Sequence, residues 1–481
     1  MPRTRRFEAA SFNANSRPLR PLLRDPAGDA PPPASQVRPQ RPLSRLAAFA
    51  TVAVLIPVWL PRPLEFGDFS LAFVIPFVLA LWALAQPAWP GTLGRALHGQ
   101  GRRGVWPEMS CVAAIFTLAI MSMFVSPEPL RAFRVILPMS YAICTLVLLT
   151  RIPPHLQRRF PHALLVSGVL VLGAAILLAE TGAGRSMVMR QYRFLAFFEN
   201  PNQLGIVLLA VWAPAIALFL TARSAKARLT SVAMVLVLAA AIFMSGTKTA
   251  LALGFVAGAL IWLYYASRSG SIDKMILKLV FVGCAIVLAV PAVLWLLAWA
   301  SPDFSKRVQD ILTHGVWEFQ SMKTRSAIWD ESMRVGLAHP FLGGGAGTMV
   351  LNKAHSHDMV LDYFRGMGVF AAAAAIALIL CTVARVGSFI LSTLHKGMAD
   401  RTADTLVAGL YIGALFDLLA NQLSDSFSPT TSFLFWMMYF GAYVAARPKT
   451  VSARRAPRPS TLQWTPRARA VPNTGTATQA I

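Results

Sequence analysis

Charge is scarce in this chain. Of 481 residues only 14% are charged, and acids are scarcer still, 21 Asp and Glu against 45 Lys and Arg. A soluble domain carries about a quarter charged residues, so composition excludes a water-solvated globular fold. Cysteine is almost missing: Cys111, Cys144, Cys284 and Cys381 all fall in apolar stretches, without metal-like or redox-like spacing. They read as small packing residues, which predicts no disulfide and no structural metal. Period-two alternation is also lacking, and that argues against an outer-membrane barrel. No Asp-x-Asp or other carboxylate cluster is evident, and no P-loop or dinucleotide fingerprint occurs.

What is abundant is apolar sequence. Hydrophobic residues make up 56% of the chain and mean hydropathy is +0.55. Continuous runs of about 17–24 residues recur, long enough to cross a hydrocarbon core. Backbone in that solvent must satisfy its own hydrogen bonds, so the spans should be helices. The pattern predicts an all-α polytopic membrane protein of about 12 transmembrane helices. Spans fall at 46–60, 69–86, 109–125, 132–150, 162–179, 203–221, 229–244, 248–266, 277–300, 366–391, 404–421 and 430–446.

Basic residues orient these spans, because Lys and Arg in short loops resist translocation. Alternate loops are basic: Arg95, Arg102 and Arg103; Arg151, Arg158 and Arg159; Arg223, Lys226 and Arg228; Arg268, Lys274 and Lys278; Arg385, Lys396 and Arg401. The loops between them are poor in positive charge. Both termini are therefore expected in the cytoplasm of a bacterial inner-membrane protein. Residues 1–45 and 447–481 are basic, Pro-rich or polar, and read as disordered tails flanking a membrane domain at 46–446. Their charge fits a positive-inside anchor touching anionic lipid rather than nucleic acid, since nothing folded accompanies it. No cleavable signal peptide is expected, the stretch before the first span being far too long.

Two segments on the translocated side break the rule. One, at 180–202, carries Arg185, Arg190 and Arg193; the other, about 301–365, carries Lys323, Arg325, Trp329, His339, His355, His357 and Arg365 among others. The long one should contain short helices on the periplasmic face. Arg, Lys, His and Trp on such a face suit an anionic headgroup such as a diphosphate, whose oxygens match the Arg fork. A solvated loop meeting lipid phosphates is the plainer alternative. Lys248 interrupts apolar sequence, either as a functional cation or as a side chain snorkelling to the interface. Asn200-Pro201-Asn202 is explained by a helix start alone. The Gly343, Gly345 and Gly347 run reads as a flexible turn, and Asp417 as a structural polar contact. His355 and His357 have the near-neutral basicity that suits activation of a sugar hydroxyl.

Four stretches together resemble the O-antigen ligase family. They are Arg193-Phe-Leu-Ala-Phe-Phe-Glu-Asn200-Pro201-Asn202; Ser245-Gly-Thr-Lys248; Arg325-Ser-Ala-Ile-Trp329 followed by His339-Pro340 and Gly343-x-Gly345-x-Gly347; and His357-Asp358-x-x-Leu361 with Gly366 and Gly368. Ala196 stands where the family has Gly, Lys248 where it has Arg, and Asp358 where it has Asn. The resemblance implies a GT-C-like glycosyltransferase active at the periplasmic face, needing no cofactor or metal and inverting the anomeric centre. Its donor would be a glycan on undecaprenyl diphosphate and its acceptor lipid A–core or, in a polymerase, a growing polysaccharide. Arg193, Lys248 and Arg325 would neutralise the diphosphate; His357, with His355 as a second candidate, would orient or deprotonate the acceptor. Polymerisation of repeat units is the alternative activity. A lipid-linked-glycan transporter is a rival class, disfavoured by the absence of evident internal repeats.

Overall fold

The computed structural model describes residues 104–151, 159–182, 185–190, 193–268, 320–351, 356–394, 401–423 and 429–446, with scattered positions before 104 and between 269 and 319. All lie in the compact unit Ser44–Ile481. The expected spans at 46–60 (apart from a few positions) and 277–300 (apart from Trp295), both basic tails and His355 fall outside the described residues.

A two-residue ladder, β1 (Glu65–Phe66) with β2 (Phe69–Ser70), precedes α1 (Ile75–Leu84). Then come α2 (Trp106–Met123), α3 (Pro129–Arg151) and α4 (Phe160–Glu180). A short helix, α5 (Arg185–Val188), leads into a second ladder of β3 (Met189–Arg190) and β4 (Arg193–Phe194). Three long helices follow, α6 (Pro201–Thr221), α7 (Ala225–Ser245) and α8 (Lys248–Ser267). After the polar helix α9 (Gln320–Ala338) and the short α10 (Met359–Met367) come α11 (Val369–Leu394), α12 (Arg401–Leu423) and α13 (Pro429–Ala445). Eight of these helices are long and apolar enough to cross a membrane, and α13 is a shorter apolar helix. The protein is a helical, polytopic membrane protein. Each of the eight overlaps a span read from the sequence.

Local chemistry sets several boundaries. Asn200, in extended backbone, accepts the Gln203 N–H at 2.9 Å, and Pro201 occupies the first turn of α6, where its missing donor costs nothing. Ser224 caps α7 in the same way. That helix stops at Gly246, whose φ of +63° is the left-handed closing conformation. The expected 366–391 span instead starts at Val369, because Gly368 (φ +86°) ends α10 immediately before it.

Burial separates the centre of the bundle from its rim. In α3, α6 and α12 the buried share of the apolar window is 76%, 72% and 72%, against 22% in α7. So α6 is a hub, packed on α7, α8 and α12, while α3 holds α2 and α13. Rim helices carry Leu170, Leu177, Leu229 and Leu236 outward, as lipid-facing surfaces require.

Hydrogen bonds fix which loops share a face. Arg401 donates to the Tyr265 carbonyl (2.7 Å), Arg268 pairs with Asp404 (3.2 Å), and the Tyr264 hydroxyl meets Thr393 (2.7 Å). These join the ends of α8 and α11 to the start of α12 on one face. Arg385 reaches Glu108 and the Gly104 carbonyl, which adds the start of α2 to that face. Arg385 itself sits inside α11, not in the basic loop assigned to it, because the buried Glu108 carboxylate holds it there. The starts of α6, α8 and α11 consequently lie together on the opposite face.

Candidate functional site

On that opposite face two bonded groups form. The first centres on Arg193. Its position in β4 lets Nε donate to the Ser245 carbonyl at 2.8 Å, while one Nη donates to Asn202 Oδ1 at 3.0 Å and lies 3.5 Å from Thr247 Oγ1. Thr247 Oγ1 also donates to the Pro201 carbonyl at 2.9 Å. The helices α6 and α8 approach closely because residue 205 is glycine: a Cβ there would come within 2.5 Å of Thr247. Arg193 therefore ties the end of α7 to the starts of α6 and α8. Lys248, exposed, opens α8 beside it. Two helix N-termini, each with the partial positive charge of unpaired N–H groups, converge beside two cations.

The second group is the turn that carries His357. Trp329, on α9, donates its indole N–H to the Ser356 carbonyl at 2.8 Å. Ser356 N–H donates to Asp362 Oδ1 at 2.8 Å, and the Ser356 hydroxyl donates to the Asp358 carbonyl at 2.9 Å. Asp358 then caps α10, accepting the Leu361 N–H at 2.9 Å. Between these fixed peptides His357 is half-buried with φ at +62°, a backbone region that costs a non-glycine residue about 1–2 kcal/mol. Arg325 lies one turn before Trp329 on α9, at the spacing that puts both on one side of the helix.

The glycine run is packed rather than flexible. Gly343, Gly345 and Gly347 all have positive φ. A Cβ at Gly343 would strike the backbone at Arg365–Met367, one at Gly345 would strike Ser126, and one at Gly347 the backbone at Arg131–Ala132. The Ser126 hydroxyl donates to the Ala346 carbonyl at 2.7 Å, and Gly344 N–H donates to the Arg365 carbonyl at 2.8 Å. The loop is thus seated between the α2–α3 turn and α10, which holds the His357 turn against the bundle.

The model of the family described as O-antigen ligase matches residues 233–376, from within α7 to the first turns of α11. Over those residues the chain is similar to the O-antigen ligase family. Among curated proteins none matches it. The matched segment holds Lys248, Arg325, Trp329, the three loop glycines and His357. Arg193 and Asn200–Asn202 lie before it but are bonded into its Ser245–Thr247 turn.

Several residues of these groups escape a reading along the sequence. Asp362 and Arg365, whose side chains are 10% and 4% exposed, pair at 3.0 Å inside α10. Their i, i+3 spacing is a signal, yet Arg365 looks from sequence like one more loop charge. Ser126 carries no signal, and Thr247 is only one small residue of the Ser245–Lys248 stretch, with nothing in its type to announce the contact it makes. Asp417 is fully buried in α12, and neither carboxyl oxygen has a hydrogen-bond partner among the described residues, so the polar contact expected of its side chain is not seen there; its backbone carbonyl accepts from Asn421 at 2.7 Å.

Proposed function

We propose that the protein is a GT-C-like glycosyltransferase that moves a glycan from undecaprenyl diphosphate to a sugar hydroxyl, at the face carrying Arg193, Lys248, Arg325 and His357. The observation that carries this reading is the convergence of the α6 and α8 N-termini beside Arg193 and Lys248. Helix N-termini and cations together favour a phosphate-rich anion.

In this mechanism the acceptor oxygen attacks the anomeric carbon while the bond from that carbon to the diphosphate oxygen breaks. The hydroxyl proton passes to His357, with His355 the second candidate. The bond electrons leave with the diphosphate, whose growing charge Arg193, Lys248 and Arg325 neutralise; placed cations of this kind supply a large share of catalysis. Direct displacement inverts the anomeric centre. Lipid A–core is the acceptor we favour, with the basic face cytoplasmic and the site periplasmic in the inner membrane.

The test mixes purified protein with undecaprenyl-diphosphate-linked glycan and either lipid A–core or a second lipid-linked glycan, in EDTA, beside His357→Ala. Metal-independent transfer to lipid A–core that disappears in the variant supports the proposal. Chain extension of the second lipid-linked glycan would make the protein a polymerase. No transfer to either acceptor would return the transporter reading.

A further inference from the structure

We propose that Asp362 is the positioning residue for His357, acting through the peptide that precedes it. The inference rests on the acceptor-base reading of His357 given above. Ser356 is completely buried, and both polar groups of its backbone are taken: Trp329 holds its carbonyl and Asp362 holds its N–H, each at 2.8 Å. The two anchors come from different helices, α9 and α10. Together they fix the plane of the Ser356 peptide, and the hydroxyl of Ser356 fixes the Asp358 carbonyl beyond it. His357 is the residue between, kept in left-handed backbone that persists only when its surroundings over-determine it.

Asp362 is itself held in place. Arg365 donates to Oδ1 at 3.0 Å from the next turn of α10, and the Arg365 carbonyl accepts from Gly344 in the glycine loop. The chain of contacts runs from the glycine loop through Arg365 and Asp362 to Ser356, and so to the imidazole-bearing residue. Burial alone does not call for a carboxylate here, since it pushes the Asp362 carboxyl up to about 6. A carboxylate accepts the Ser356 N–H and the Arg365 N–H on one oxygen. An amide at the same place keeps an acceptor for Ser356 and loses the charge that holds Arg365.

The experiment measures transfer kinetics on full-length protein for Asp362→Asn, Asp362→Ala, His357→Ala and the double variant Asp362→Asn/His357→Ala. Thermal unfolding in detergent checks each for folding. Asp362→Ala should lower kcat by about 100-fold, the size expected of a misplaced catalytic group, with the KM for the lipid-linked donor unchanged. Asp362→Asn should fall between Ala and the parent, and the double variant should be no slower than His357→Ala. Should the Ala protein not fold, the Asn variant and the double variant decide. An Asn variant at parental kcat, or a double variant that loses both effects in full, overturns the assignment. If His357→Ala retains parental transfer, the base reading fails instead, and that outcome does not depend on any Asp362 variant.

Discussion

Arg193 commits much of its guanidinium to protein atoms, so its first effect is to tie together the helix ends of the proposed anion site. Removing it strips a charged donor from the Ser245 carbonyl and Asn202, a loss of about 1–3 kcal/mol for groups left unsatisfied. Arg193→Ala should therefore lower the unfolding midpoint as well as transfer. Arg193→Lys should recover donor binding in part, because an ammonium keeps the charge without the planar fork. Equal midpoints for the parent and the Ala protein would show the tie to be idle. Asp362 gives a second residue-level expectation. With its pKa raised to about 6 by burial, against the pull of Arg365 and with Asp358 adding to the rise, it is ionised above that pH and neutral below. The neutral acid attracts Arg365 less and is a poorer acceptor for Ser356, so transfer should fall as pH drops through about 6. An imidazole base adds a proton of its own over a similar range. The acid limb of a log rate–pH plot should be steeper in the parent than in Asp362→Asn, and identical limbs would argue against an ionised Asp362.

At the scale of elements, helices were readable and their joints were not. Hydropathy locates α2 through α4, α6 through α8, α11 and α12 because lipid imposes a length and an apolar content on each span. Asn200 reveals its cap by residue type, whereas the stop at Gly246 emerges only from its left-handed φ. By contrast, Arg193 and Ser245 are 52 residues apart and Ser126 and Ala346 are 220 apart, distances over which no local pattern operates. The glycine run shows the difference: composition suggests a turn, whereas three positive φ angles and backbone on every side show a wedge. Alanine substitutions should rank accordingly. Gly347→Ala meets the backbone of Arg131 and Ala132 at 2.8 Å with φ at +82°, so it should be severely destabilising. Gly246→Ala meets only Arg193 Nε at 3.4 Å and should cost chiefly the left-handed strain, about 1–2 kcal/mol. Gly173→Ala, in α4 with nothing within 4 Å, should be neutral or stabilising. Unfolding midpoints of the three proteins check the order.

The whole molecule has two chemically different faces. On the basic one, Arg385 holds the buried Glu108 with Nε at 2.6 Å and Nη at 2.9 Å, while the Tyr439 hydroxyl donates to the same carboxylate at 2.6 Å. This joins α2, α11 and α13. Breaking such a pair from one side strands a buried charge and costs about 3–5 kcal/mol, so Arg385→Ala should lose most of its folded yield. Glu108→Gln combined with Arg385→Met should regain part of it, and transfer per folded molecule should stay near parental. Sequence suggested positive-inside loops here but not this clamp, because its partners are 277 residues apart. Orientation is open to direct measurement: in a cysteine-free background, a membrane-impermeant thiol reagent applied to intact cells should label residue 128 or 341 after substitution by Cys, and not residue 226. The reverse pattern would invert the topology. The seat of the glycine loop on Ser126 and Arg131 has one more consequence. The family-matched stretch 233–376 is not self-sufficient, since its loop is completed by a turn encoded about a hundred residues earlier. A chimera that transplants this stretch into another helical membrane protein should fold only when this protein's α2–α3 hairpin travels with it, so the transplantable unit is a discontinuous pair of segments.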